Sequence, residues 1–360
     1  MDLNCLNMNS RERILAVFEN KPIDRPPCWC GAFPEFWEKA KKELGLEDEE
    51  LLQRLGDDFR RVFAEYNGPV VPLKYENATY RTVFGVERDG LGYGQPLHHP
   101  LESATFREII EYPWPNPDWI DVSTVKEKAQ KYNREYAILG GDWSPFWHDA
   151  IDLLGMENLL MKMCTEPELV DLVLGKIVDY YYRVNQNIFE AAGEEIDIFF
   201  IGNDFGGQSG PLIGPEMFEQ FIYPLLKRLI DLGHSYGLKV QMHCCGGFYE
   251  LIPLIIKAGL DALHALQPDC RGMDSSSLKR EFGNRLVLNG GIDSKNILIN
   301  GSVEYVKEQT RKVLDIMMPE GKYIAGACHD AILEETPVEN VLAMFDEITS
   351  YKTLLKTNKK

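Results

Sequence analysis

From residue 136 onward, short apolar runs return along the chain at 137–140, 196–201, 238–242, 260–264, 286–289 and 322–325. Their short length and apolar character predict buried strands. Between them the apolar positions recur with helical spacing, and the stretch 215–236 opens on Pro215, a favoured first-turn residue. Two earlier runs, Cys28-Trp29-Cys30-Gly31 and 58–65, read as strands as well. Eight strands each followed by a helix or a loop and helix specify an α/β protein, a parallel (β/α)8 TIM barrel. No linker interrupts the pattern, so residues 1–360 are expected to form one domain.

The remaining segments decorate that barrel. Ser10 is expected to cap a helix over 11–18, an N-terminal helical extension that Pro22, Pro26 and Pro27 terminate. Phe33-Pro34-Glu35-Phe36-Trp37 opens a second, amphipathic helix. The glycine-punctuated, alternating stretch 80–95 predicts a hairpin inserted into the early barrel. Within it Gly90-Leu91-Gly92-Tyr93-Gly94 lacks the following helix that a dinucleotide fingerprint needs. The proline-rich 112–117 is a rigid connector.

Chemistry enters at the strand ends. Asp142, Asn203, Asp204, His243, Cys245, His264, Gln267, Asp293, Cys328 and His329 all lie at or just after a strand's C-terminal end, the barrel face that carries active sites. Any one of them could be a cap or turn residue, but their convergence on one rim predicts a pocket. Side chains alternate along a strand, so His243 and Cys245 share a side while Cys244 points away. An imidazole and a thiolate so placed can share a zinc ion, and Cys328, ending another strand, supplies a third ligand. Three protein ligands leave a coordination place open for chemistry, whereas structural zinc sites normally use four. Cysteine is also a common core residue, and that is the reading for Cys28 and Cys30, which share a strand face without a neighbouring histidine. Trp143, Phe146 and Trp147 either line the site for a flat or apolar ligand or plug the barrel mouth. Gly206-Gly207-Gln208-Ser209-Gly210-Pro211 reads as a tight strand-to-helix loop ahead of an anion cradle.

Composition narrows the partners. The chain is 44% hydrophobic and 26% charged with a formal charge of −18, which argues against nucleic acid or an anionic membrane surface. No apolar run approaches the roughly twenty residues of a membrane span, and the first ten residues lack a signal peptide's regions. The eight cysteines are therefore expected to be reduced thiols in a cytoplasmic protein. The composition is compatible with an oligomer.

Five motifs, in this order, resemble the uroporphyrinogen decarboxylase superfamily over nearly the whole chain. They are Arg25-Pro26-Pro27, Gly210-Pro211-Leu212-Ile213 leading to Pro215-Glu216-Met217-Phe218, His243-Cys244-Cys245-Gly246, Asn289-Gly290-Gly291-Ile292-Asp293 and Thr336-Pro337-Val338-Glu339-Asn340. True decarboxylases of the family resemble one another in an arginine-bearing segment after the Arg-Pro-Pro, which grips substrate carboxylates. Here 28–36 holds no arginine, which disfavours an octacarboxylate substrate. The resemblance is instead to the branch of zinc- and corrinoid-dependent methyltransferases, whose His-x-Cys and distant Cys carry over onto His243, Cys245 and Cys328. Cys328 is followed by His329 where many relatives have Ser-His, which keeps the third ligand open. What the resemblance implies is transfer of a methyl group between a small donor or acceptor and a corrinoid (cobalamin) on a partner protein. Asp142, Asn203, Asp204, His264 and Asp293 are then candidates to orient substrate or move a proton. Trp143, Trp147, Gln267 and His329 are candidates to meet the corrinoid. A carboxy-lyase for a smaller substrate and a non-catalytic zinc or corrinoid-binding module are the alternatives.

Overall fold

The computed structural model describes residues 7–90, 94–329 and 331–351. Eight strands carry the fold: β1 Cys28–Trp29, β2 Phe59–Arg61, β3 Ala137–Gly140, β4 Ile198–Gly202, β5 Lys239–His243, β6 Ala262–His264, β7 Val287–Asn289 and β8 Tyr323–Gly326. They form one sheet in the order β1-β8-β7-β6-β5-β4-β3-β2, every neighbouring pair parallel. Each of the eight expected runs contributes a barrel strand, and their apolar residues are buried, as a parallel barrel requires.

The sheet closes on itself through one backbone hydrogen bond and one side chain rather than a ladder. Asp58 donates its backbone N–H to the Cys28 carbonyl at 3.1 Å, and its carboxylate accepts the Cys28 N–H at 2.7 Å. That carboxylate is fully buried and also accepts hydrogen bonds from Arg25 at 2.9 and 3.0 Å and from Arg13 at 2.6 Å. The Arg-Pro-Pro motif thus supplies a cation to the seam between first and second strands.

Arg13 comes from α1, Ser10–Phe18, which plugs the barrel. Ile14, Val17 and Phe18 of this helix join Trp29, Phe59, Leu139, Ile198, Phe200, Val287 and Ile324 in an interior cluster. Burying each large side chain is worth roughly 1.5–3 kcal/mol, so the plug holds the ring from inside. The cap of α1 is Asn9 rather than Ser10: its side chain accepts the Glu12 N–H while Glu12 accepts the Asn9 N–H, a capping box. Outside the ring, α2 (Phe146–Leu154) and the long α3 (Pro167–Ala192) pack in a second, larger apolar cluster, which also takes Cys28 and Cys30.

Two expectations change. The run 58–65 is not one strand: after Arg61 the chain leaves the barrel, and Glu65–Tyr66 pairs antiparallel with Ile120–Asp121. Its β-prone residues fit either ladder, and only tertiary packing chooses between them. The inserted stretch is three-stranded, with Tyr80–Arg81, Glu87–Asp89 and Gln95–Pro96 forming an antiparallel meander. Residues 91–93 of the glycine-rich turn lie outside the described residues. No helix among the described residues is long and apolar enough to cross a membrane.

Candidate metal centre at the barrel mouth

Register builds the site before any side chain is considered. His243 stands opposite Gly202 on β4 and His264 on β6, and His264 stands opposite Asn289 on β7. The C-terminal ends of neighbouring strands therefore carry one layer of buried polar residues above the apolar interior.

Strand alternation then places Cys245 beside His243, with its Sγ 2.9 Å from His243 Nε2. Cys244 turns the other way, fully buried, and its sulfur accepts the Phe205 N–H at 3.3 Å. Two glycines make the turn after Cys245 possible. Gly246 has φ +82°, and a Cβ there would lie 2.5 Å from the backbone of Gly206. The strands Gly206–Gly207 and Gly210–Pro211 form a small hairpin that lies against Cys245 and Gly246, so the tight strand-to-helix connection at 206–211 is itself a two-stranded element. The Gly247 N–H donates to the Gly207 carbonyl at 2.8 Å and fastens the two together.

Asp204 completes the cluster. Its Oδ1 accepts the Cys245 N–H at 2.6 Å and lies 3.5 Å from His243 Nε2. The ligand atoms of Asp204, His243 and Cys245 all fall within 4.8 Å of one another, within reach of one ion. Its Oδ2 is 3.1 Å from Nε2 of His148, a residue in the first turn of α2. Burial pushes the Asp204 carboxyl up, but the His148 hydrogen bond, the charges of His243 and His148 and the Cys245 N–H together hold it well below the usual carboxylate range. The other nitrogen of His243 faces His264, Nδ1 to Nδ1 at 3.1 Å, and His264 is fully buried against Trp29. The His243 ring lies under Trp143, centroids 5.5 Å apart, and meets the edge of His329 at 6.1 Å.

Cys328 sits across the same cavity, a space of about 630 Å³ that Cys245, Gln267, Asp293 and His329 also line. Its sulfur accepts the Ser294 N–H at 3.2 Å and faces the Ser294 hydroxyl at 3.5 Å, and it is not among the ligand atoms clustered within 4.8 Å. Burial pushes its thiol up to about 11, against the opposing hydrogen bonds from Ser294. Gln267 accepts the Gly246 N–H and so steadies the ligand loop.

Several candidates occupy other roles. Asn203 is fully buried, accepting the Trp147 N–H at 2.9 Å and donating to the Ser144 carbonyl at 3.2 Å, and it clamps the β3 and β4 loops. Trp147 is itself fully buried in the outer cluster, so it offers no surface to a corrinoid; of the aromatic group after β3, Trp143 alone reaches His243. Asp293 lines the cavity, but its carboxylate caps the following helical turn, accepting from the Lys295 and Asn296 backbones and the Asn296 amide. Asp142 accepts the Ser144 N–H within its own turn, and burial raises its carboxyl. Sequence reasoning missed His148, which arrives from a helix eight residues past its strand rather than from a strand end.

The donor set suits zinc: a soft sulfur, an imidazole and a carboxylate on rigid backbone, with a second cysteine facing the same space. Comparison with known proteins agrees with the fold. The chain is similar to the methylcobamide:CoM methyltransferase MtbA of Methanosarcina acetivorans, 23% identical over 356 residues that cover 95% of this chain and 98% of that one. It is also similar to a methylated-thiol–coenzyme M methyltransferase of Methanosarcina mazei, 23% identical over 265 residues, 70% of this chain and 65% of that one. A solved methyltransferase from Methanosarcina mazei superposes with a TM-score of 0.66 at 19% identity, covering 95% of this chain and 98% of that one. The family model for uroporphyrinogen decarboxylase (URO-D) matches residues 121–351, well over half of the chain, and the protein belongs to that family.

Proposed function

We propose that this protein is a zinc-dependent methyltransferase that moves a methyl group between a small molecule and a corrinoid carried by a partner protein. The observation that carries the reading is the clustering of His243, Cys245 and Asp204 within reach of one ion, with Cys245 lining a cavity that Cys328 also lines. The names of its similar proteins, methylcobamide:CoM methyltransferases among them, support the same class.

Within that reading His243 and Cys245 hold the ion, and Cys328 joins from across the cavity. His264 backs the His243 ring, fixing which nitrogen faces the cavity, as partners of ligating histidines generally do. Trp143 covers the ring and keeps water from it. Zinc so held supplies Lewis acidity, keeping a thiol as thiolate in one direction and polarising the heteroatom of a methyl ether or methylamine in the other. In the demethylating direction the methyl–heteroatom bond would break with its electron pair left on the heteroatom, the pair for the new bond to methyl being what a reduced corrinoid would supply. Among the described residues lining this cavity there is no arginine and one lysine, Lys295, few cations for a polyanionic porphyrinogen.

The direct assay is the absorbance change between cob(I)alamin and methylcob(III)alamin, with methyl ethers and methylated amines supplied in one direction and thiols in the other. Turnover is expected with one class, and His243→Ala is expected to abolish it without changing the circular dichroism. Coproporphyrinogen formed from uroporphyrinogen at enzymatic rates, with no methyl transfer, would favour the carboxy-lyase instead.

A further inference from the structure

Three protein ligands, His243, Cys245 and Cys328, would leave one of zinc's four usual places open. Asp204 stands beside that place. Its Oδ1, 3.5 Å from His243 Nε2, belongs to the cluster of atoms that one ion can reach, and its Oδ2 is held at 3.1 Å by His148. The donors differ in how readily they can leave. The His243 side chain is 6% exposed, lies under Trp143 and is backed by His264. Cys245 sits in a turn fixed by the Gly206 and Gly246 backbones. The Asp204 side chain is 33% exposed and has a second partner, itself 38% exposed, to which its other oxygen is already bonded. A substrate heteroatom that reaches a four-coordinate ion must displace one donor, and the carboxylate, a third exposed and already held at its other oxygen by His148, is the donor with another partner to fall back on.

We propose that Asp204 is a displaceable ligand that closes the fourth place until a substrate heteroatom takes it, and that His148 is the positioning residue that aims the carboxylate there. The exchange swaps one Lewis base for another, each keeping its own electron pair; when the incoming group is a thiol, its proton passes to the buffer. This rests on the metal reading above but not on methyl transfer.

The test is titration of the full-length cobalt(II)-loaded protein with 2-mercaptoethanol, followed by the d–d and sulfur-to-cobalt charge-transfer bands. Asp204→Asn is expected to change the resting d–d spectrum and to tighten thiol binding about tenfold, the lower end of the range seen for groups that tune a metal site. His148→Ala should move both readouts the same way, while His148→Gln, which keeps a hydrogen-bond donor, should stay near wild type. An unchanged spectrum and thiol affinity in Asp204→Asn would overturn the proposal. So would a failure of that variant to take up cobalt, since the carboxylate would then be a permanent ligand. His148→Ala behaving as wild type while Asp204→Asn does not would remove the positioning role. Corrinoid takes no part in the titration, so thiol exchange without methyl transfer would sink the proposed function and leave this inference standing, and the reverse result would do the opposite.

Discussion

His243 divides its two nitrogens between two tasks: Nε2 faces Cys245 and Asp204, and Nδ1 faces His264. That division makes metal content the measurement to take first. The purified protein is expected to carry one zinc per chain, and Cys328→Ser to bind it at least tenfold more weakly by competition with a chelator. Full affinity in that variant would remove Cys328 from the ligand set and leave Asp204 as the third donor. The same residues mark how far a single sequence reaches. Alternation on a strand is enough to bring His243 and Cys245 to one side, and the two do meet. Asn203 and Asp293 sit at strand ends in the same way, yet one is a buried clamp and the other a cap. What separates them from a ligand is which neighbours consume their polar atoms, and those neighbours come from other strands and helices. His148 has no strand-end signature at all, so only the packing of α2 against the β4 loop discloses it.

Among the elements, the hairpin formed by Gly206–Gly207 and Gly210–Pro211 does the work of a splint. It can approach the ligand turn because neither Gly206 nor Gly246 carries a side chain: a Cβ on Gly206 would lie 2.5 Å from the Cys245 carbonyl oxygen. Gly246→Ala adds a steric clash to a positive φ, and should cost about 1–3 kcal/mol with loss of zinc affinity. Urea unfolding and metal titration on the same variant read both, and a variant with wild-type stability and zinc affinity would show that the splint is dispensable. The strands themselves were legible because each is a short run of buried apolar residues, a signal that needs no knowledge of its partner. The division of 58–65 was not, since Val62 and the residues after it suit a strand wherever the chain goes and their ladder partner, Ile120–Asp121, lies far along the sequence.

For the whole molecule, the eight alternating units were enough to give the architecture, but not the way the ring is shut. Asp58 does that with a carboxylate shared among Arg13, Arg25 and the Cys28 N–H. Removing one member of a buried ionic set typically costs 3–5 kcal/mol, because the remaining charges stay buried without their counterpart. Asp58→Ala is expected to lose about that much in urea unfolding, and a loss under 1 kcal/mol would mean that the α1 plug alone keeps the ring closed. The seam also sets the order of events during synthesis. The only ladder partner of β1 among the described residues is β8, the last of the eight strands in chain order. A nascent chain therefore carries Trp29 on an open strand edge, with the apolar residues that will become the interior, until Tyr323–Gly326 has left the ribosome. Such edges invite pairing with other chains, and contacts this distant in sequence form slowly. A ribosome stalled between residues 290 and 320 would hold seven of the eight strands with nothing to shut against, so the yield of soluble protein is expected to depend on how quickly the last strand follows the others.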